Sequence, residues 1–385
     1  MGEVLRLFIL AGEPSGERLA VDLVQRLRSR LSVDLYGVGG AALAVEGLRS
    51  IFPMSDLSVM GFQDVLGRLP RLLWRVEQTA RAIFKLAPDV AVLVDSQVFV
   101  QLVAKRLRAR GYKKPVLLYV APSVWGRAPE RAQKLRPLFD EVLAVLPFEP
   151  KVMKDLGGPL TCYVGHPALS EVHIGSEQEG SSVVLLPGSR PGELRRHLPL
   201  MRATAEALAR KQGVERFVMP TLPELELAMK GETARWPVRV EVSADRSKRH
   251  QMYGEARLAV VAAGTATLEL ALAQVPMVVT FRMEKAQAWH YKRLGQPSVS
   301  LPNIVLSRRI VPEILLSGGD PAPLILAALN LSGSPAARNE QRKAFAELTD
   351  VMRDGLPGIR CEDPSDRVLA HVLAAASPPN SPTRA

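Results

Sequence analysis

The chain has 385 residues, of which 47% are hydrophobic and 23% charged, and it carries a formal charge of +11. At about 100–200 residues per domain this length predicts two domains, and the ordinary globular composition excludes disorder of the whole chain. The two cysteines, Cys162 and Cys361, exclude a disulfide framework and a thiol-built zinc site, so a reducing, cytoplasmic setting is expected.

In chain order, residues 5–10 form an apolar run, 12–16 a turn, and Leu19, Leu23, Leu27 and Leu31 then recur at helical spacing. Residues 33–38 read as a second strand, and 90–94, 116–120 and 142–146 repeat the signature with Arg/Lys-rich helices between them. Residues 168–182 are polar, carry Gly175 and Gly180, and read as a linker. Strands are predicted again at 183–186, 217–220, 238–242, 258–262 and 277–281. Continuous apolar runs alternating with amphipathic helices predict parallel sheets covered on both faces. The expected architecture is α/β: two Rossmann-like domains, 1–167 and 183–376, facing across a cleft, with ligands outside the carboxyl ends of the strands. Residues 377–385, rich in Ser and Pro, are expected to fray.

The apolar runs are of strand length, well short of the about 18–20 residues of a membrane span. Met1 leads directly into a strand containing Arg6, which is no secretory pattern. The positive balance suits nucleic acid, anionic lipid or a phosphorylated substrate, and equally a plain bias toward arginine. Aromatic residues at 5% are too sparse for a nucleic-acid stacking platform. The segment 65–75 mixes Leu and Trp74 with three arginines; it reads either as a helix resting on anionic lipid or as a partly buried helix with a solvated face.

Four turns carry candidate chemistry. In Ala11-Gly12-Glu13-Pro14-Ser15-Gly16-Glu17, glycines and a proline make a tight strand-to-helix turn that sets Glu13 and Ser15 at the sheet edge, near amides that favour an anion or a hydroxyl. The plain alternative is a Ser15 cap with Glu17 in the first turn. Tyr36-Gly37-Val38-Gly39-Gly40-Ala41-Ala42 fits a G-x-G-x-x-A pattern, but it follows the second strand and lacks the acidic partner, so it reads as a close backbone approach. Leu186-Pro187-Gly188-Ser189-Arg190 sets an arginine beside a helix start, where it can neutralise a diphosphate, with Glu193 capping the helix or pairing with Arg196. Ala263-Gly264-Thr265-Ala266-Thr267-Leu268-Glu269 allows a phosphate to approach the backbone, with Glu269 placed to accept from ribose hydroxyls; the alternative is a Thr-capped helix. There is no Asp-x-Asp, H-E-x-x-H, G-x-S-x-G or P-loop lysine pattern, and the six histidines are scattered, His166 lying at the domain junction.

Taken with Leu57-Ser58-Val59-Met60-Gly61, Tyr119-Val120-Ala121-Pro122-Ser123-Val124-Trp125, Leu146-Pro147-Phe148-Glu149, Gly165-His166-Pro167 and Val299-Ser300-Leu301-Pro302-Asn303, these turns resemble the lipid-A-disaccharide synthase family of GT-B glycosyltransferases. The resemblance implies transfer of 2,3-diacylglucosamine from its UDP derivative to 2,3-diacylglucosamine 1-phosphate. A β-1,6 disaccharide forms and UDP leaves, with inversion and with no metal or cofactor. It implies that the Glu13 loop faces the reaction and that Gly12, Ser15, Gly188, Ser189, Arg190, Gly264, Thr265, Ala266, Thr267, Glu269, Arg282, Met283 and Asn303 hold the nucleotide sugar. It further implies that Phe281, Arg282 and Met283 occupy the segment that lines the base. It also implies peripheral contact with the inner face of the cytoplasmic membrane, a possible homodimer, a C-terminal helix packing back, and no nucleic-acid partner.

The family's strand-end pattern Asp-Ala-Pro-Asp-Phe-Asn reads Asp95-Ser96-Gln97-Val98-Phe99-Val100 here, and Gly126 replaces an aromatic residue beside Trp125. Valine cannot take a proton, so Glu13 or Asp95 is expected to supply the base. A relative with a changed acceptor, or a non-catalytic UDP-sugar-binding protein, are the alternative readings.

Overall fold

The computed structural model describes residues 4–57, 62–125, 129–171, 180–211, 213–283, 285–293 and 296–376. The chain forms two compact units, Met1–Pro167 with Met352–Ala385, and Ala168–Val351. The frayed end expected at 377–385 and most of the linker, 172–179, lie outside the described residues; a short helix, Ala168–Glu171, stands at the linker's start.

Among the described residues of the first unit, seven strands make a parallel sheet: β1 (Leu5–Ala11), β2 (Val33–Val38), β3 (Arg49–Ser50), β4 (Val90–Val94), β5 (Val116–Tyr119), β6 (Glu141–Ala144) and β7 (Thr161–Tyr163), in the order β3-β2-β1-β4-β5-β6-β7. All five residues of β4 are buried, because helices cover both faces and leave no polar side of the sheet. The helix Pro14–Arg28 starts with a proline in its first turn, where the missing N–H costs nothing, and ends in Arg26 and Arg28, which suit the negative end of its dipole. It buries Leu19, Leu23 and Leu27; Leu31, the fourth leucine of the repeat, lies past its end. Phe8, Leu10, Leu93, Val103 and Leu118 are central to the core.

The second unit holds β8 (Ser182–Leu186), β9 (Arg216–Pro220), β10 (Val240–Ser243), β11 (Ala256–Ala262), β12 (Met277–Arg282) and β13 (Glu313–Leu316), parallel and ordered β10-β9-β8-β11-β12-β13. Its core includes Val183, Leu185, Leu198, Val260, Val278 and Leu324.

One expected boundary is corrected. Residues 352–376, assigned from sequence to the second domain, pack on the first. A hairpin of β14 (Gly355–Leu356) and β15 (Ile359–Arg360) leads to the helix Pro364–Ala376. The Tyr163 hydroxyl donates to the Met352 carbonyl, and the Glu362 amide donates to the Tyr163 carbonyl at 2.9 Å. Buried Glu141 holds both Arg367 and His371 of the last helix. No helix among the described residues is long and apolar enough to cross a membrane.

Strand order fixes where ligands can go. In each sheet the chain winds outward in one direction and then returns to the other side of the first strand, between β1 and β4 in one unit and between β8 and β11 in the other. Such switch points open a crevice at the carboxyl ends of the strands.

Candidate functional site

At the first switch point, the loops after β1 and β4 touch. A Cβ on Gly12 would stand 2.0 Å from Ser96 Oγ, and one on Gly16 would stand 3.4 Å from Asp95 Cβ. Glycine at 12 is therefore a packing requirement. Glu13 is the N-cap residue in extended conformation (φ −141°), with no side-chain cap bond, and both Glu13 and Ser15 are exposed. The Ser15 cap does not form.

Glu17 does different work. It is buried, and its Oε1 accepts from the Gly40 and Leu43 amides at 2.8 and 2.9 Å. The G-x-G-x-x-A turn is thus filled by the protein's own carboxylate, in line with its reading as a close backbone approach.

Asp95 (φ 51°), Ser96 (φ 42°) and Val120 (φ 78°) all adopt left-handed backbone at the ends of β4 and β5, each at a cost of about 1–3 kcal/mol. Strain of this kind concentrates at functional sites, and a β-branched valine there is an outlier. The Asp95 amide donates to the Tyr119 carbonyl at 2.9 Å, and Gln97 Nε2 donates to the Val120 carbonyl at 3.0 Å. Asp95 is half-buried, whereas Val98 is 75% exposed.

The 119–125 and 146–149 segments interlock beside this edge. Trp125 Nε1 donates to Glu149 Oε1 at 3.4 Å, the Leu146 amide donates to Glu149 Oε2 at 3.0 Å, and the Trp125 and Phe148 rings meet edge-on at 5.4 Å. Gly126 lies outside the described residues. Burial pushes the Glu149 carboxyl up to about 8, against the hydrogen bonds from Leu146 and Trp125 that lower it. The folded protein therefore keeps a proton that the unfolded chain releases above about 4.5. This stability is complete below that pH and is lost as pH rises through 8. Urea unfolding at pH 5 and pH 8 should show the wild type weakening relative to Glu149→Gln; parallel behaviour would mean that Glu149 ionises like an exposed carboxylate. His166 is held neutral near a pKa of about 4 by burial and by the charge of Arg18.

At the second switch point, Gly188 has φ 100°, and a Cβ there would stand 2.4 Å from Glu193 Oε2. Glu193 folds back to accept from the Ser189 and Arg190 amides at 3.2 and 3.3 Å, and its Oε1 lies 3.6 Å from the Arg190 guanidinium. The Arg190 side chain remains 73% exposed. After β11, Gly264 and Thr265 are exposed, Ala266 is half-buried, and a Cβ on Gly264 would meet nothing within 4 Å. Thr265 makes no cap bond. Thr267 is buried: its hydroxyl donates to the Gly264 carbonyl at 2.7 Å and accepts from the Leu301 amide at 3.2 Å. Glu269 lies one turn in, its Oε2 3.8 Å from Arg249. At the end of β12, Arg282 and, just past it, Met283 are half-buried, and the Met283 amide donates to the Leu316 carbonyl at 2.8 Å.

Asn303 is a correction. Expected to hold UDP, it is only 2% exposed, and its amide is spent inside the protein. Its Nδ2 donates to the Val311 carbonyl and to Glu313, and its Oδ1 accepts from the Ile310 and Val311 amides, at 2.7–3.0 Å. With two donors and two acceptor sites used, no capacity remains for a ligand. Glu313, which sequence reasoning missed, organises the same loop: its Oε1 also accepts from the Val299 and Ser300 amides and the Ser300 hydroxyl.

His197 was also missed. Its ring is fully buried, with Nδ1 2.9 Å from the Pro187 carbonyl and Nε2 accepting from the Arg282 amide at 3.2 Å. Burial holds its pKa below the ordinary range, against the Pro187 bond that raises it. Among the described residues no group of three or more His, Cys, Asp or Glu side chains is placed to hold a metal ion.

Two parallel-sheet α/β units, each gathering its motif turns at a switch point, define the GT-B class. A calicheamicin glycosyltransferase shares this fold (TM-score 0.60, 17% identity, 98% of this chain and 100% of that one), as does a UDP-GlcNAc 2-epimerase from Neisseria meningitidis (0.60, 10%, 91% and 99%). The family model described as lipid-A-disaccharide synthetase matches residues 7–355. A lipid-A-disaccharide synthase from Nitrobacter hamburgensis is 38% identical over 380 residues, covering 96% of this chain and 95% of the relative. The chain belongs to the lipid-A-disaccharide synthase family and is a glycosyltransferase.

Proposed function

We propose that the protein transfers 2,3-diacylglucosamine from its UDP derivative to 2,3-diacylglucosamine 1-phosphate, giving the β-1,6-linked disaccharide and UDP. The observation that carries this reading is the family match over nearly the whole chain, joined to motif turns gathered at both switch points. The acceptor sugar belongs at the first unit's edge, where exposed Glu13 takes the proton from the attacking hydroxyl. UDP belongs at the second unit's edge, with the exposed Arg190 guanidinium meeting charge that builds on the leaving diphosphate. Ser189, Gly264, Thr265 and Ala266 bring backbone toward the phosphates, Glu269 faces the ribose, and Arg282 and Met283 line the base. Gly188, Thr267 and Asn303 shape the turns without touching ligand.

Lipid contact falls on the helix Phe62–Leu86, where Leu69, Leu73 and Trp74 are exposed. Arg71 and Arg75 both pair with Asp56, at 2.9 and 2.7 Å; Arg71 stays 62% exposed, whereas Arg75 is only 11% exposed. The Arg68 side chain lies outside the described residues. Leu69, Leu73 and Trp74, with the exposed Arg71, carry the peripheral attachment, on the cytoplasmic side of the inner membrane.

Incubation with both acylated substrates should release UDP only when the acceptor is present. UDP binding without release would make the chain a sugar-nucleotide-binding relative, and neither would end the reading. Arg190→Ala should weaken UDP, measured by calorimetry, by about 1.5–3 kcal/mol, the value of a charge-assisted contact. Unchanged affinity would remove the arginine from the site.

A further inference from the structure

We propose that His197 is a positioning residue of the UDP site, its neutral ring locking the turn after β8 to the carboxyl end of β12. The assignment rests on the UDP reading above. The two partners do not belong to neighbouring strands, since β11 lies between β8 and β12. Sheet hydrogen bonds therefore cannot set one against the other directly, and His197 spans the gap from the helix Pro191–Leu208.

The partners fix the tautomer. A carbonyl only accepts and a backbone N–H only donates, so the proton sits on Nδ1, facing Pro187, and the lone pair of Nε2 faces Arg282. A charged ring, or the other tautomer, loses the Arg282 bond. The Phe281 ring, 5.8 Å away between centroids, packs beside the imidazole. A leucine would fill this buried space but would leave the Pro187 carbonyl and the Arg282 amide without these bonds; histidine supplies both, one to each strand end. Pro187 stands three residues before Arg190, and Arg282 directly precedes Met283, so these bonds set the diphosphate end against the base end of the site.

The test is UDP titration of the full chain by calorimetry, with UDP-sugar kinetics, for the wild type, His197→Leu and His197→Gln. Loss of both bonds in His197→Leu should raise the Kd for UDP about tenfold and raise KM more than it lowers kcat. His197→Gln, which keeps one amide donor and one acceptor, should recover part of the loss. Selective 15N-histidine labelling should show at pH 7 a neutral Nδ1–H ring signal that vanishes in both variants. Wild-type affinity in His197→Leu, or a His197 ring that is charged or protonated on Nε2, overturns the assignment while leaving the UDP site standing. Absence of UDP binding by the wild type overturns the UDP reading itself, and the assignment with it. If His197→Leu does not fold, the glutamine variant and the ring signal still decide.

Discussion

Replacing Glu141 by alanine is expected to lower the stability of the first unit by about 3–5 kcal/mol, the cost of leaving buried charge without its partner. Glu141 opens β6 and is fully buried. Arg367 reaches both of its oxygens, with the shortest contact at 2.8 Å, and His371 Nε2 lies 2.7 Å from Oε2. Arg367 and His371 stand 26% and 20% exposed, so water compensates only partly when the carboxylate goes. The same helix segment makes surface pairs as well, Arg26 with Asp363 at 2.8 Å and Arg30 with Asp366. Exposed pairs of this kind are worth about 0–1 kcal/mol each. Urea unfolding should therefore rank Glu141→Ala far below Asp366→Asn. Equal small effects would show that apolar packing, and not the buried carboxylate, holds the last helix.

That helix also marks the limit of what the sequence discloses. Long apolar runs such as 90–94, 183–186 and 258–262 announce buried parallel strands, since strands covered on both faces read as nearly continuous apolar runs. The turns 11–17, 186–190 and 263–269 announce themselves by glycine and by small residues. The two-residue β3 and the three-residue β7 carry no run to detect, and β13 opens with Glu313, whose charge argues against a strand until its loop partners are seen. Glu141 and Arg367 are separated by 226 residues, and no periodicity encodes such a pairing.

His197 was closer to legible. It falls on the stripe Leu194, Leu198, Met201, Thr204, Ala205 and Leu208, all buried on one helix face, although its neighbours Arg195 and Arg196 suggest a solvated turn. Asn303 misleads for the opposite reason. A family motif marks the residue without saying whether its amide faces a ligand or its own loop, and only the filled hydrogen-bond inventory decides.

The largest expected effect on turnover concerns the base. A positioned general base contributes about 10²–10⁴-fold to rate, and position 98, where the family's pattern has an acid, holds a valine that is 75% exposed in the first turn of the helix Gln97–Ala109. Glu13 is exposed at the end of β1, the strand next to β4, and its loop touches Ser96, so it can reach the same acceptor hydroxyl. Glu13→Gln should lower kcat by about that factor while leaving UDP affinity intact, because the residues proposed to hold UDP belong to the other unit. Asp95→Asn isolates charge from shape, since asparagine tolerates the left-handed backbone at that position as well as aspartate does. A smaller fall is expected there, because Asp95 is half-buried and packed against Gly16. Val98→Asp adds a carboxylate to a helix N-terminus, where it is favoured, and should raise turnover or rescue Glu13→Gln. Brisk turnover that ignores changes at both Glu13 and Asp95 would place the base elsewhere in the chain and remove both residues from the catalytic step.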